Sequence, residues 1–533
     1  MPSFPTLVLR KSLDEIAENN NRKMLEEEIL PDYLPKHRWF AGKDRRIDTV
    51  EIERMLRVPA GTDGDPWLLA LLAVRQNEQV VRYQLPLAVD WRESMLKTGS
   101  PLLPWTLAKT RRFRYVGALH DATMDDGFAR RLAALMSAGD TSDEGLRARA
   151  WGDLAEMSLG DEAAVQRFGV EQSNSSVIIG EQVALKVYRK IATGVHPELE
   201  IAQYLSHEAG YANTPALLGS LEYMDDAGEP ALLAIAQQYL FNQGDGWQVM
   251  VEYLDRELEM RALTRSGESG EAAGALADSH EQNLALVERL GQRIAEMHRA
   301  FARPTERPAF TPETAGGEEL DEWVGHALRQ VDDALGSLER NRAALEGRAA
   351  AQADAVLQAR TLAEARIRAA GELDAGVLMT RLHGDLHLGQ VLVVERDFYV
   401  IDFEGEPARD LAARRNKSSA LRDVAGMLRS FDYAAWSAAY KLMERRPDAT
   451  DTILADALAW RDQAVTRFLD GYREHLGDCD VWPGSEEDGW RLLDLFLLEK
   501  AFYELGYELA NRPQWLDIPL AGIVTLLNSR RGA

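Results

Sequence analysis

One cysteine in 533 residues, Cys479, leaves no partner for an intrachain disulfide framework, and that scarcity suits a reducing compartment. Long apolar runs are also missing. The longest near the start, Trp67-Leu-Leu-Ala-Leu-Leu-Ala-Val74, is far short of the roughly 20 residues a membrane-spanning helix needs, and no N-terminal stretch is built like a signal peptide. Basic residues are in deficit: 61 Lys and Arg stand against 86 Asp and Glu, for a formal net charge of −25. Such a surface disfavours nucleic acid and anionic membranes as partners, while leaving room for a local basic pocket that binds phosphates. A soluble cytoplasmic chain with neither partner is expected. There is no internal repeat and no Walker-type loop.

What is present is ordinary globular material, 46% hydrophobic and 28% charged, in a chain too long for one core. Three blocks are expected, 1–125, 126–243 and 244–533. In the first, Val50-Glu-Ile-Glu-Arg-Met-Leu-Arg-Val58 and Val80-Val-Arg-Tyr-Gln-Leu85 alternate as antiparallel strands do. Residues 126–158 turn helical. Val183-Ala-Leu-Lys-Val-Tyr188 then reads as a strand carrying Lys186, and Pro197 opens a helix. After Ala231–Phe241, another strand, helical sequence dominates. Residues 264–280 are low in apolar bulk and read as an insert, and 319–372 suit a helical hairpin.

The densest chemistry lies in Arg381-Leu-His-Gly-Asp-Leu-His-Leu-Gly-Gln390 and Val400-Ile-Asp-Phe-Glu404. Asp385, Gln390 and Asp402 stand at offsets of five and seventeen residues from the first, with a short hairpin expected around Glu395-Arg396-Asp397. Phosphotransferases of the protein-kinase kind space a catalytic Asp, an amide ligand and a metal-binding Asp in this way. Asp385 would orient the attacking hydroxyl and take its proton; Gln390 and Asp402 would offer hard oxygens to Mg²⁺. His383 would lock the loop, and Glu404 would either meet a second metal or stabilise the loop. Upstream, Lys186 would neutralise ATP phosphates beneath a loop whose Ser173, Asn174 and Ser175 replace a glycine signature. Glu200 is the expected partner of Lys186, with Glu198 the alternative. Gln237 and Tyr239 lead into an adenine hinge. A lone His-Gly-Asp is a common turn; the joint spacing and the upstream lysine are what favour chemistry.

These motifs resemble the aminoglycoside phosphotransferase-like kinases, whose loop reads His-Gly-Asp-x-x-x-x-Asn, and Gln390 in place of that Asn resembles the maltokinases. Leu34-Pro-Lys-His-Arg-Trp-Phe-Ala-Gly-Lys43 is similar to the opening of their cap, although Arg38, Trp39 and Lys43 read as packing residues. Arg422-Asp-Val-Ala-Gly-Met-Leu-Arg-Ser-Phe-Asp-Tyr433 and Lys500–Trp515 are similar to two later family motifs. The resemblance implies an α+β, bilobal protein-kinase-like fold with an N-terminal cap and a helical C-lobe. It further implies ATP- and Mg²⁺-dependent phosphorylation of maltose at its anomeric hydroxyl, giving α-maltose 1-phosphate and ADP for α-glucan synthesis. Trehalose synthase is implied as a partner, by fusion through residues 1 to about 30 or as a separate enzyme. Lys500, Tyr503, Tyr507 and Arg512 are then expected to bind the sugar; the two tyrosines share a helix face at i and i+4. A glucosamine or aminoglycoside kinase on the same scaffold is the alternative, and a regulatory pseudokinase conflicts with the intact set of Lys186, Asp385, Gln390 and Asp402.

Overall fold

The computed structural model describes residues 4–59, 65–139, 145–154, 157, 159–160, 162–167, 173–265, 272–373 and 376–529. Residues 168–172, the last two of which open the phosphate loop expected at 171–175, and 266–271 of the expected insert lie outside the described residues. The chain divides into two compact units, Met1–Gln203 with Pro215–Phe241, and Tyr204–Thr214 with Asn242–Ala533. The blocks expected at 1–125 and 126–243 thus fall largely within one unit. No helix among the described residues is long and apolar enough to cross a membrane.

Among the described residues the first unit holds two sheets. One contains β1 (Thr6–Leu9), β2 (Thr49–Val58), β3 (Trp67–Gln76), β4 (Gln79–Asp90), β5 (Thr106–Arg112) and β6 (Tyr115–Asp121), in the order β1-β5-β6-β4-β3-β2. The apolar run near residue 70 is its β3, and the two-residue side-chain period divides it between two cores. Leu68, Ala70, Leu72 and Val74 join one cluster, with Leu25, Trp39 and Tyr83. Leu69 and Leu71 join the other, with Phe128, Leu132 and Met136 of α1 (Asp126–Ala138). Asp125 caps α1 by accepting the Gly127 N–H at 2.8 Å.

The second sheet comprises β7 (Leu146–Ala150), β8 (Val165–Arg167), β9 (Ser175–Ile179), β10 (Val183–Val187), β12 (Leu217–Met224) and β13 (Pro230–Gln238). Lys186 sits mid-strand in β10, opposite Ser176 of β9 and Ile235 of β13. After β10 the chain changes sheet: β11 (Lys190–Ile191) pairs with Tyr83 and Arg82 of β4. Gln84 secures the crossing, its Nε2 donating to the carbonyls of Tyr188 at 3.0 Å and Leu233 at 3.1 Å. Helix α2 (Pro197–Tyr204) follows.

The second unit is mostly helical: α3 (Gly246–Arg265), α4 (Ala272–Phe301), α5 (Gly317–Asn341), α6 (Leu421–Arg445), α7 (Thr450–Leu476), α8 (Glu486–Asn511) and α9 (Asp517–Asn528), with shorter helices at 347–369. The expected hairpin over 319–372 is thus α5 followed by two short helices. Between them and α6 run β15 (Val377–Met379, paired with β14, Glu313–Ala315), β16 (Val391–Val394) and β17 (Asp397–Val400). Glu395 and Arg396 close β16 onto β17 with φ of 48° and 70°, the left-handed pair a two-residue hairpin turn needs. Helix α6 is buried along most of its length. At Gly426 a Cβ would lie 2.6 Å from the Leu386 carbonyl oxygen, so only glycine lets the 381–390 loop rest on this helix.

Candidate active site

The loop between β15 and β16 is held from beneath. Asp423 of α6 accepts the backbone N–H of His383 at 2.8 Å on Oδ2 and that of Gly384 at 2.9 Å on Oδ1. His298 of α4 contacts the same carboxylate at 3.3 Å through Nε2 and bonds the Tyr472 hydroxyl of α7 through Nδ1 at 2.8 Å. Burial alone would raise the Asp423 pKa; the hydrogen bond and charge of His298, with His383 and the Gly384 amide, outweigh it and leave the carboxyl below its ordinary value. His383 is itself buried. Its Nε2 meets the Ile401 carbonyl at 2.9 Å, which requires the proton there, so Nδ1 is free to accept the Asp385 N–H at 3.3 Å. The His383 ring thus links the Asp385 N–H to the Ile401 carbonyl. Gly384, at φ +84°, turns the chain so that Asp385 follows half-buried.

The β16–β17 ladder continues through the Ile401 N–H to the Gln390 carbonyl at 3.0 Å, which places Asp402 beside Gln390. Gln390 Nε2 lies 3.2 Å from Asp402 Oδ2. Asp402 adopts φ +67°, a left-handed conformation uncommon for a non-glycine residue and one that clusters at functional sites. A carboxylate and an amide this close form a donor set suited to Mg²⁺, which prefers hard oxygens. Glu404 is half-buried two residues on, and its carbonyl accepts from Arg414 at 3.4 Å. Burial keeps His387 below its ordinary pKa, against the opposing pull of Asp385.

A cavity of about 700 Å³ in the second unit is lined by Asp385, Lys500, Tyr503, Arg422, His326 and Glu499, among others. Its size falls in the ~300–1,000 Å³ range of small-molecule sites. Lys500 Nζ sits 5.3 Å from the Tyr503 ring centroid. The other two residues expected at the sugar do not line this cavity: Tyr507 stacks beyond Tyr503 at 6.4 Å, and Arg512 is bound to Glu508 at 2.6 Å, between the Tyr507 and Trp515 rings. Glu499 and His326 carry no local sequence signal, and Arg422 and Asp423 lie in a noted motif whose sequence does not disclose their tasks.

In the first unit, Lys186 Nζ donates to Glu198 Oε2 at 2.8 Å, and the Tyr188 hydroxyl donates to the same oxygen at 2.5 Å. Glu198, the alternative, is thus bonded to the lysine, and it is more deeply buried than Glu200, at 1% against 8% exposed. Of the loop residues, Ser173 is exposed, whereas Asn174 and Ser175 are engaged by Arg189: Ser175 Oγ accepts from Nε at 2.8 Å, and Asn174 Oδ1 accepts the Arg189 N–H at 3.4 Å. Arg189 is wholly buried, ion-paired with Asp121 at 2.7 Å and stacked 4.8 Å from the Trp39 centroid, which gives Trp39 of the cap motif a packing role. Gln237 is half-buried at the end of β13, and the Tyr239 N–H reaches the Gln182 carbonyl at 2.8 Å.

Residues 33–125 match the maltokinase N-terminal cap domain, and residues 164–413 match the phosphotransferase enzyme family. A glucosamine kinase of Streptacidiphilus jiangxiensis is 28% identical over 432 residues, covering 80% of this chain and 86% of the relative. One of Mycolicibacterium smegmatis is 29% identical over 364 residues, 67% of this chain and 78% of the relative. A solved glucosamine kinase, in complex with glucosamine, ADP and inorganic phosphate, superposes with a TM-score of 0.61 at 23% identity, covering 90% of this chain and 94% of that one. At that identity the likeness shows the fold, an α+β kinase-like one with an N-terminal cap and a helical C-terminal part. With cap and kinase domains both matched, the chain is a phosphotransferase whose residues 33–125 are similar to the maltokinase cap and whose residues 164–413 are similar to the phosphotransferase enzyme family.

Proposed function

We propose that the protein transfers the γ-phosphoryl group of ATP to the anomeric hydroxyl of maltose, forming α-maltose 1-phosphate and ADP. The observation that carries this reading is the cavity of about 700 Å³ onto which Asp385 opens beside Lys500 and Tyr503, roomy enough for an acceptor larger than one ring. The matched maltokinase cap supports it. Asp385 accepts a hydrogen bond from the acceptor hydroxyl, aims it in line and takes its proton late. An anomeric hydroxyl is more acidic than an ordinary sugar alcohol, which suits a carboxylate base. Lys186 neutralises nucleotide phosphates, and its contact with Glu198 fixes the ammonium on β10. Gln390 and Asp402 would hold Mg²⁺, with Glu404 beside them, and the ion would supply charge neutralisation for the phosphates. Ser173, Asn174 and Ser175 cover the nucleotide, and Gln237 and Tyr239 border its base. Lys500 donates to sugar hydroxyls, and Tyr503 covers an apolar sugar face. A trehalose synthase would supply the maltose.

The second reading is an amino-sugar kinase, favoured by the relatives named glucosamine kinase and by Glu319, Glu322 and Glu406 in the cavity wall. Arg409, Arg414 and Lys417 of the same wall oppose an ammonium there. ADP release over a panel of sugars, with NMR of the product, tests the two. Maltose is expected to lead, with phosphate on C1; glucosamine outrunning maltose moves the protein to the second reading.

A further inference from the structure

Part of the cavity wall has no task in phosphoryl transfer. Glu499 of α8, Arg422 at the start of α6 and His326 of α5 converge there. Glu499 is 6% exposed, and its Oε1 accepts from Arg422 NH1 at 2.7 Å and from His326 Nδ1 at 2.9 Å. Its other oxygen, Oε2, is buried and has no hydrogen-bond partner among the described residues, a state that calls for an explanation in a folded protein. Arg422 is held flat: Nε donates to Ser418 Oγ at 3.2 Å, and the guanidinium lies 4.5 Å from the Phe496 centroid. NH2 makes no hydrogen bond among the described residues. With Nδ1 donating to the carboxylate, His326 keeps Nε2 for a further hydrogen bond, on a side chain 39% exposed. Trp323, 5.6 Å from Phe496, adds an aromatic surface to the same wall.

We propose that this wall is a second sugar subsite, in which Arg422 and His326 bind the vicinal hydroxyls of the acceptor ring remote from the transferred phosphoryl group. Each hydroxyl of a vicinal diol both donates and accepts, so Arg422 NH2 donates to one oxygen while His326 Nε2 bonds its neighbour. Glu499 is the positioning residue, since one carboxylate oxygen orients both contact side chains. A neutral ring fits, because the carboxylate is already engaged by Arg422 and an ammonium would meet that guanidinium. The inference rests on the reading that the acceptor has two rings.

Steady-state kinetics and calorimetric binding with the full chain, ATP, maltose and glucose test it. His326→Ala is expected to raise KM and Kd for maltose about tenfold, since a site built for hydroxyls loses discrimination with each partner removed. KM for ATP and the weaker KM for glucose stay where they are, and His326→Gln, which keeps an acceptor, restores part of the loss. Arg422→Lys, which retains the charge toward Glu499 but lacks the second terminal nitrogen, is expected to reproduce the maltose-selective defect and guards against a misfolded alanine variant. Equal shifts for maltose and glucose, or none, in folded variants of a maltose-active enzyme overturn the subsite alone. Rejection of maltose by the wild-type enzyme in favour of glucosamine overturns the proposed function, and the subsite with it.

Discussion

The carboxylate of Asp423 holds the backbone N–H of His383 at 2.8 Å, so a helix buried in the second unit fixes the loop that presents Asp385. Charge-assisted bonds of this kind are about twice as strong as neutral ones. Asp423→Asn removes the charge and leaves one oxygen to serve two amides. It is expected to lower kcat roughly 10- to 100-fold, by loosening the aim of Asp385, with little change in KM for ATP. Steady-state kinetics beside a thermal melt check this; an unchanged kcat in a folded variant rules out the positioning role.

Acid should weaken this unit in a defined window. Burial pushes the Glu499 carboxyl up, but Arg422 and His326 prevail and hold it at about 2, against an ordinary 4.5. A folded-state pKa below the unfolded one contributes stability that is complete above the unfolded value and is lost as pH falls through the folded one. Wild type should therefore exceed Glu499→Gln in unfolding free energy by a constant margin above about pH 5, with the gap shrinking towards pH 2. Urea unfolding at a series of pH values measures it. A gap that widens in acid excludes the assignment.

The 381–404 segment is legible in sequence because its parts are close in the chain: Asp385, Gln390 and Asp402 are joined by one hairpin whose β-branched strands mark its length. The lysine's partner is harder. Glu198 and Glu200 both follow the helix-opening Pro197, and the choice between them depends on Tyr188, whose hydroxyl donates to Glu198 across the unit's core. The 67–76 run shows a strand but not its two cores, and the pairing of β11 with β4 joins segments over 100 residues apart, with no local pattern to announce it. The wall of Glu499, Arg422 and His326 is hidden for the same reason: its members are 77 and 173 residues from Glu499 in the chain. Helical spacing put Tyr503 and Tyr507 on one face, yet the cavity stops at Tyr503.

The two glutamates of α2 can be separated experimentally. Glu198→Gln weakens the grip on Lys186 and is expected to lower kcat/KM for ATP about 10- to 100-fold, as charge-assisted hydrogen bonds carry ~1.5–3 kcal/mol. Glu200→Gln is expected to stay within about threefold of wild type. The reverse order would return the role to Glu200.

Asp385 and Asp402 should fail in different ways. Asp385→Asn is expected to cost on the order of 10²–10⁴-fold in kcat while nucleotide binding survives, because only the acceptor's proton loses its destination. Asp402→Ala is expected to weaken Mg·ATP binding and turnover together, with Gln390→Ala milder because a neutral amide binds the ion less strongly than a carboxylate. Nucleotide titrations at two Mg²⁺ concentrations distinguish them. Insensitivity of both metal-site variants to Mg²⁺ would remove Gln390 and Asp402 from that role.

Exposure separates the two tyrosines of α8. Tyr503 lines the cavity with Asp385 and Lys500, whereas Tyr507 lies outside it, 44% exposed. An aromatic ring covering a sugar face contributes through desolvated contact, so its value depends on being inside the cavity and not on sharing a helix face. Tyr503→Ala is therefore expected to raise KM for maltose about tenfold, with KM for ATP unchanged, whereas Tyr507→Ala should move it less than about threefold. Arg512→Ala should behave like Tyr507→Ala, because the guanidinium is already occupied by Glu508. Acceptor kinetics on the three variants decide the matter. Larger effects at Tyr507 and Arg512 than at Tyr503 would mean that the acceptor lies along the outer end of α8, and would place the sugar outside the cavity that Asp385 shares.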